Sequence, residues 1–210
     1  MKDVNNLIAF YAPAIICTGI LMCSLFLSVM YKGMFFVFFV FVATAIRWLI
    51  LPIGTNATAN INTKYNCFAG QTVFKTTGNT TYSTFVIWFA MMYFLIPQII
   101  QSAKFTTNMV NYGVLLFFLM YFFYDIQVKK SIQCIDLSWT SVGIGRMLAD
   151  MFGGSAIAII IVCIVYYSRG SHVLFINEVN SNNEVCTQPS KQQFKCSVYK
   201  NGELVKQTIK

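Results

Sequence analysis

One stretch decides the fold class: Ser138-Trp-Thr-Ser-Val-Gly-Ile-Gly-Arg-Met-Leu-Ala-Asp-Met-Phe-Gly-Gly-Ser-Ala156, which continues as an almost purely aliphatic run from Ile157 to Tyr167. An apolar run of this length is typical of a helix that crosses a membrane. Gly145, Ala149 and Gly153 stand four residues apart within it, so a helix places these small residues in one row. Small residues let two helices approach closely inside a bilayer. We therefore predict that this row packs against another helix of the same chain or of a neighbour.

Two charged residues lie beside this row. Arg146 and Asp150 are also four residues apart, and opposite charges at this spacing neutralise each other on a helix surface. Charged groups inside a membrane are normally paired. The spacing predicts an Arg146–Asp150 ion pair near the polar end of the span. Arg47, in the last turn of an earlier apolar run, is interpreted as an anchor at the membrane interface beside Trp48.

The composition places the whole chain among membrane proteins. Hydrophobic residues make up 57% of the 210 residues and charged residues 10%, against roughly 45–50% and ~25% in soluble domains. The net charge of +8 comes from scattered Lys and Arg with no run longer than Lys129-Lys130. This pattern favours lipid headgroups or acidic partners over nucleic acid. The length leaves no room for a separate catalytic domain of the usual size.

The hydropathy pattern predicts a membrane all-α fold with about five transmembrane helices within 1–167, and a small extramembrane β module at 168–210. The predicted spans are 7–30, 34–51, 84–100, 109–124 and 141–167, with a polar loop at 53–83. A tight turn at Tyr31-Lys32-Gly33 and a helix end at Pro97 limit two of these spans. The short third and fourth spans favour a thin bilayer such as that of the endoplasmic reticulum.

The polar loop carries two acceptor patterns for N-glycosylation, at Asn56 and Asn79. Glycosylation takes place on the lumenal or external side, so the patterns favour a loop on that side and a tail on the other. The Lys and Arg residues divide almost equally between the two sides, so the positive-inside rule does not decide the orientation.

The tail is predicted to contain a β-hairpin, because Asn201-Gly202 favours a tight type I′ turn between two strand-like runs. The two-residue register pairs Lys200 with Glu203, Val198 with Val205 and Phe194 with Ile209. Four apolar residues then share one face that a lone hairpin cannot bury, namely Phe194, Val198, Val205 and Ile209. We predict that this face binds a partner, and that a strand at 173–176, a neighbouring chain or a Cys186–Cys196 disulfide holds the hairpin.

The sequence contains no Walker, Rossmann, zinc-ligand or paired-carboxylate pattern. Ser155, in Gly153-Gly-Ser-Ala156, resembles the nucleophile of intramembrane serine proteases, but the single histidine, His172, lies beyond the end of the same span. We therefore predict no enzyme activity, no catalytic residue, no cofactor and no metal site.

Ser141-Val-Gly-Ile-Gly145 resembles the selectivity-filter signature of potassium channels, Thr/Ser-Val-Gly-Tyr/Phe-Gly, whose carbonyl groups coordinate the ion. The likeness covers five residues and departs from the family at Ile144. It also departs at Arg146, where a cation would repel entering K⁺. It keeps open the alternative of an ion channel or transporter subunit with a degenerate filter.

Taken whole, the chain resembles the small membrane-spanning minor capsid or inner-membrane proteins of large icosahedral double-stranded DNA viruses. The likeness is one of character: short spans, a sequence rich in Asn, Lys, Ile and Phe, and a compact tail. It implies a structural protein of the virion inner membrane or of a membrane derived from the endoplasmic reticulum. Its implied partners are the lipid bilayer and other membrane or capsid proteins of a larger assembly, with no nucleic acid. An assembly factor of a host endomembrane is a third possibility.

Overall fold

The computed structural model describes Ile8 and residues 11–50, 81–105, 110–131, 142–176, 195–200 and 203–209, without the side chains of 104–105, 142–143 and the last two segments. Five helices are present in this part: α1 (Ala12–Phe26), α2 (Met30–Ile50), α3 (Tyr82–Phe105), α4 (Tyr112–Ser131) and α5 (Val142–Tyr167). Within the described ranges, the four helices α2 to α5 are long and apolar enough to cross a membrane. The length and composition of these helices are those of an integral membrane protein.

Helix α3 lies at the centre of the bundle. Its most apolar window is 72% buried, whereas the windows of the other three long helices are between 22% and 28% buried. An aromatic cluster joins it to its neighbours: the ring of Phe36 on α2 lies 5.2 Å from that of Tyr93, and the ring of Phe118 on α4 lies 6.1 Å from that of Phe94. Large apolar side chains on the outer faces of α2, α4 and α5 remain exposed, as expected where lipid covers the surface.

Successive long helices run in opposite directions. The end of α2 and the start of α3 and α5 meet where Arg47, Thr81 and Asp150 are in contact. The end of α4 joins them, because Lys129 contacts Ser83. We call this the loop end of the bundle, since 51–80 and 132–141 connect helices there. The opposite end, from which the tail leaves, is the tail end.

Helix α1 is shorter than the predicted span 7–30. It has 15 residues with Pro13 in its first turn, and covers only about 22 Å. It ends before a turn in which Ser28 has a φ of 57°. The Tyr121 hydroxyl donates a hydrogen bond to the carbonyl of Ile8 at 3.3 Å, which places Ile8, four residues before α1, beside the middle of α4. Among the described residues four helices meet the length of a span, where about five were predicted, and the first residues of the predicted span 7–30 lie largely outside the described part.

The predicted turn at Tyr31-Lys32-Gly33 is also wrong, because these residues form the first turn of α2. The chain reverses earlier, at 27–29. A side chain at position 33 would collide with the side chain of Ser24 on α1, so the glycine permits the close approach of the two helices.

Two further helix ends differ from the prediction. Helix α3 continues through Pro97 for a total of 24 residues, and the Gln98 side chain supports it by donating to the Phe94 carbonyl at 2.9 Å. Helix α4 continues past Tyr124 to Ser131, a total of 20 residues, because Asp125 and Lys129 satisfy each other inside it. At about 36 and 30 Å these helices are not short, so span length does not favour a thin bilayer.

After α5 the chain folds back over the tail end. A turn with Arg169 at a φ of 63° leads into a 3-10 turn at Ser171–Val173, where the prediction placed a strand at 173–176. We call residues 170–176 the strap. Leu174 is fully buried, and the ring of Phe175 lies 5.5 Å from that of Phe94. The start of the tail is thus packed into the core of the bundle.

Two strands, β1 (Lys195–Lys200) and β2 (Glu203–Ile209), pair antiparallel. Lys200 lies opposite Glu203 as predicted, but Val198 lies opposite Lys206 because a bulge leaves Val205 without a partner. The predicted Val198–Val205 pairing is therefore wrong, and Ile209 lies opposite Lys195, not Phe194. The side chains of these strands lie outside the described residues, and a folded, partner-binding module remains a prediction. Also outside are Phe194, the Cys186–Cys196 bridge, Asn56 and Asn79.

Candidate functional site

Arg47 and Asp150 form a buried ion pair between the end of α2 and the third turn of α5. The Arg47 Nε and Nη2 atoms donate to Asp150 Oδ1 and Oδ2 at 2.6 and 2.9 Å. Only 4% of the arginine side chain and 1% of the aspartate side chain are exposed. Two parallel bonds of this kind fix the relative orientation of both groups as well as neutralising them. Arg47 is therefore not the interfacial anchor that its position in the sequence suggested.

The surroundings of this pair supply further contacts. The Thr81 hydroxyl donates to Asp150 Oδ2. The guanidinium of Arg47 lies 5.4 Å from the ring centroid of Tyr82 and 5.5 Å from that of Phe85, distances at which an aromatic face attracts a cation. The Tyr82 hydroxyl in turn lies 2.8 Å from that of Thr44 on α2. Four residues around the start of α3 and on α2 thus hold the arginine and its carboxylate in place.

A second ion pair lies on α4. Lys129 Nζ donates to Asp125 Oδ2 at 2.8 Å, within one helical turn, and both side chains are buried. The Ser83 hydroxyl of α3 donates to the same carboxylate oxygen at 2.8 Å and accepts a hydrogen bond from Lys129 Nζ. The pair is therefore attached to α3 through one serine.

The two pairs belong to one cluster. Thr81, which donates to Asp150, and Ser83, which donates to Asp125, are two residues apart at the start of α3, where the helix dipole favours negative charge. We call Arg47, Asp125, Lys129 and Asp150, with Thr81 and Ser83, the charge cluster. Its two positive and two negative side chains balance, so burial of the cluster itself leaves no net charge there.

The charge cluster lies toward the loop end of the membrane-spanning part. Arg47 is three residues from the end of α2 and Lys129 is two residues from the end of α4. Asp150 lies deepest, about 12 Å along α5 from its first residue. The charges therefore join helix ends and do not form a row along the bundle.

The predicted Arg146–Asp150 pair is wrong, because Asp150 pairs with Arg47. Arg146 is half-buried on another part of the α5 surface. The face of α5 that packs against the bundle is one residue away from the predicted row. Its buried members are Met147, Asp150, Gly154, Ala158 and Val162.

The small-residue row faces outward. Gly145 and Ala149 are exposed, and a side chain added at Gly145 or Gly153 would meet no atom within 4 Å. At Gly154 an added side chain would collide with the Phe85 carbonyl of α3. The prediction that the row packs within this chain is therefore wrong, and its contact with a neighbouring chain stays a prediction.

Two other motifs are helical. Val142 to Gly145 form the first turn of α5, so this backbone differs from the extended filter that exposes carbonyl groups to an ion. The Ser155 hydroxyl donates to the Met151 carbonyl at 2.8 Å, which is an ordinary helix-internal bond.

The charge cluster has no signal in local spacing except the Asp125–Lys129 pair, which is four residues apart. Arg47 and Asp150 are 103 positions apart. The sequence does hold one further signal of the charge cluster. Residues of both signs occur near the loop end of the spans, so they could pair with one another. Among the described residues, no group of three His, Cys, Asp or Glu side chains is placed to hold a metal ion.

Comparison with known proteins finds no relative. No protein-family model matches the chain, and neither the curated proteins nor the solved structures contain a significant match.

Proposed function

We propose that this chain is a non-enzymatic structural protein of a membrane, which holds other proteins of a larger assembly through its polar loop and its C-terminal tail. The observation that carries the proposal is the mutual pairing of the four charges in the cluster. The Arg47–Asp150 pair joins α2 to α5, and Thr81 and Ser83 attach the two pairs to the start of α3. Helices held in one arrangement by these bonds suit a structural role.

The strap supports the same role. Because Leu174 and Phe175 are buried against the core, the start of the tail is attached to the bundle, and a partner held by the tail is thereby attached to the membrane. The proposed membrane is the inner membrane of a virion, or one derived from the endoplasmic reticulum, and the proposed partner is a capsid or membrane protein. This assignment rests on the resemblance of the whole chain to viral minor capsid proteins.

The experiment measures how much partner protein co-purifies with each copy of this chain after mild detergent extraction from the native source. In the intact chain, Val198→Asp should remove the partner and leave membrane insertion unchanged. Ser197→Asp is the matched control, because neighbouring side chains of a strand point to opposite faces, and it should retain the partner. Equal recovery of the partner with both variants would contradict binding through the hairpin face that contains Val198.

Transport is the second candidate function, because ionisable groups inside a membrane often mark an ion or proton path. Asp125 favours it, since its Oδ1 atom is buried without a hydrogen-bond partner among the described residues. The test is ion flux into liposomes that contain the purified chain. A proton or K⁺ flux that Asp125→Asn abolishes would support transport, and flux equal to that of protein-free liposomes would support the structural role.

A further inference from the structure

Three buried polar atoms of α3 and α4 have no hydrogen-bond partner in the described part of the chain. They are Thr84 Oγ1, Trp88 Nε1 and Asp125 Oδ1. Thr84 and Asp125 are fully buried. Buried polar atoms are almost always bonded, to protein or to an ordered water molecule, because an unbonded one is costly.

The contacts of the two helices place these atoms on facing surfaces. Thr84 and Trp88 are four residues apart, on one face of α3. The Trp88 ring packs edge-on against Phe122 of α4 with centroids 5.6 Å apart. One turn nearer the loop end, Ser83 donates to Asp125 Oδ2 at 2.8 Å. Thr84, Trp88 and Asp125 therefore lie in the stretch of the two helices between these two contacts.

We propose that an ordered water molecule binds at this interface, held by Thr84 Oγ1, Trp88 Nε1 and Asp125 Oδ1. The indole nitrogen only donates a hydrogen bond, the second carboxylate oxygen accepts one, and the threonine hydroxyl does either. A water molecule matches this set, because it accepts from Trp88, donates to Asp125 and bonds Thr84. Three partners are typical for a buried water.

Charge excludes the other small ligands. A metal cation would face the N–H group of Trp88 and the ammonium group of Lys129, which lies on the other side of the Asp125 carboxylate. An anion would face that carboxylate. A neutral molecule that both donates and accepts hydrogen bonds therefore fits the site. The site adjoins the charge cluster, because Asp125 belongs to both.

The water would complete the bonding of Asp125. Its Oδ2 atom already accepts from Ser83 and Lys129, and the water would occupy its Oδ1 atom. This inference is independent of the proposed function, since a bound water fits both a fixed bundle and a transport path.

The test uses the intact chain in detergent micelles with its tryptophans labelled with ¹⁵N. NMR cross-relaxation between the indole N–H proton of Trp88 and water detects a water molecule that stays bound longer than the protein tumbles. We expect such a signal for Trp88. Trp48, whose side chain is 57% exposed, should show only brief contact with bulk water.

Substitutions at Thr84 test whether the NMR signal comes from the bound water or from the threonine hydroxyl. Thr84→Val exchanges the hydroxyl for a methyl group of similar size, so the signal should persist through Trp88 and Asp125. Its persistence would exclude the hydroxyl proton as its source. Thr84→Met should fill the space and abolish the signal, whereas Thr18→Met, the same substitution at an exposed threonine of α1, should retain it. The absence of the signal in the unmodified chain, or its loss in Thr84→Val, would overturn the proposal.

Discussion

Arg47 near the end of α2 and Asp150 in the third turn of α5 form a bidentate ion pair, with nitrogen–oxygen distances of 2.6 and 2.9 Å. The pair joins two spans that are far apart in the sequence, and Thr81 attaches both to the start of α3. Buried pairs of this kind contribute little net stability compared with apolar residues of the same size. Their effect is to select one arrangement of helices, because any other leaves a charge unpaired in an apolar interior.

The pair on α4 gives a first prediction. Lys129→Met leaves the buried Asp125 carboxylate without its cation and should lower the free energy of unfolding by about 3–5 kcal/mol. The control is Lys130→Met, one residue further along and exposed, which should change it by less than about 0.5 kcal/mol.

Thermal and denaturant unfolding in detergent measure the free energy of unfolding of Lys129→Met and Lys130→Met. Equal effects of the two substitutions would show that the buried pair does not support the fold.

Adjacent glycines of α5 give a second prediction, with opposite signs. Gly154→Ala should destabilise the bundle by about 1–3 kcal/mol, since the added methyl group meets the Phe85 backbone of α3. Gly153→Ala has open space around it and should stabilise the helix by about 0.5–1 kcal/mol. The same unfolding measurement distinguishes them, and effects of the same sign would contradict the packing of α5 on α3.

The four-span arrangement predicts that 51–80 and the tail lie on opposite sides of the membrane. If the loop is lumenal, Asn56 or Asn79 should be glycosylated in microsomes, and protease added outside should remove the tail. Replacing both asparagines by glutamine is the control that removes the glycan. A glycosylated loop together with a protected tail would contradict the three spans, α3 to α5, that lie between them.

The hydropathy of the chain was sufficient to predict an all-helical membrane protein and the positions of α2 and α5 to within a few residues. It failed at α4, because Asp125 and Lys129 look like the start of a polar loop until their mutual contact is known. It also failed at Pro97, where the helix continues. In both cases, contacts inside the bundle satisfy groups that the local sequence leaves exposed.

Local spacing also selected the wrong face of α5. The row of Gly145, Ala149 and Gly153 and the pair Arg146–Asp150 both satisfy the four-residue rule, but that rule does not say which face meets α3. Gly154 decides it, because it allows contact with the α3 backbone and so turns Asp150 inward toward Arg47. This choice depends on residues from three helices and is not encoded in any single stretch.

The central claim is that the buried charges hold the bundle in one arrangement through the Arg47–Asp150 pair. A double-mutant cycle of unfolding free energies, with Arg47→Met, Asp150→Leu and both together, tests it most directly. The account predicts a coupling of about 1–3 kcal/mol between positions 47 and 150, and additive effects in the parallel cycle between positions 146 and 150. Additivity in the first cycle with coupling in the second would show that Asp150 pairs with Arg146 and would contradict the account.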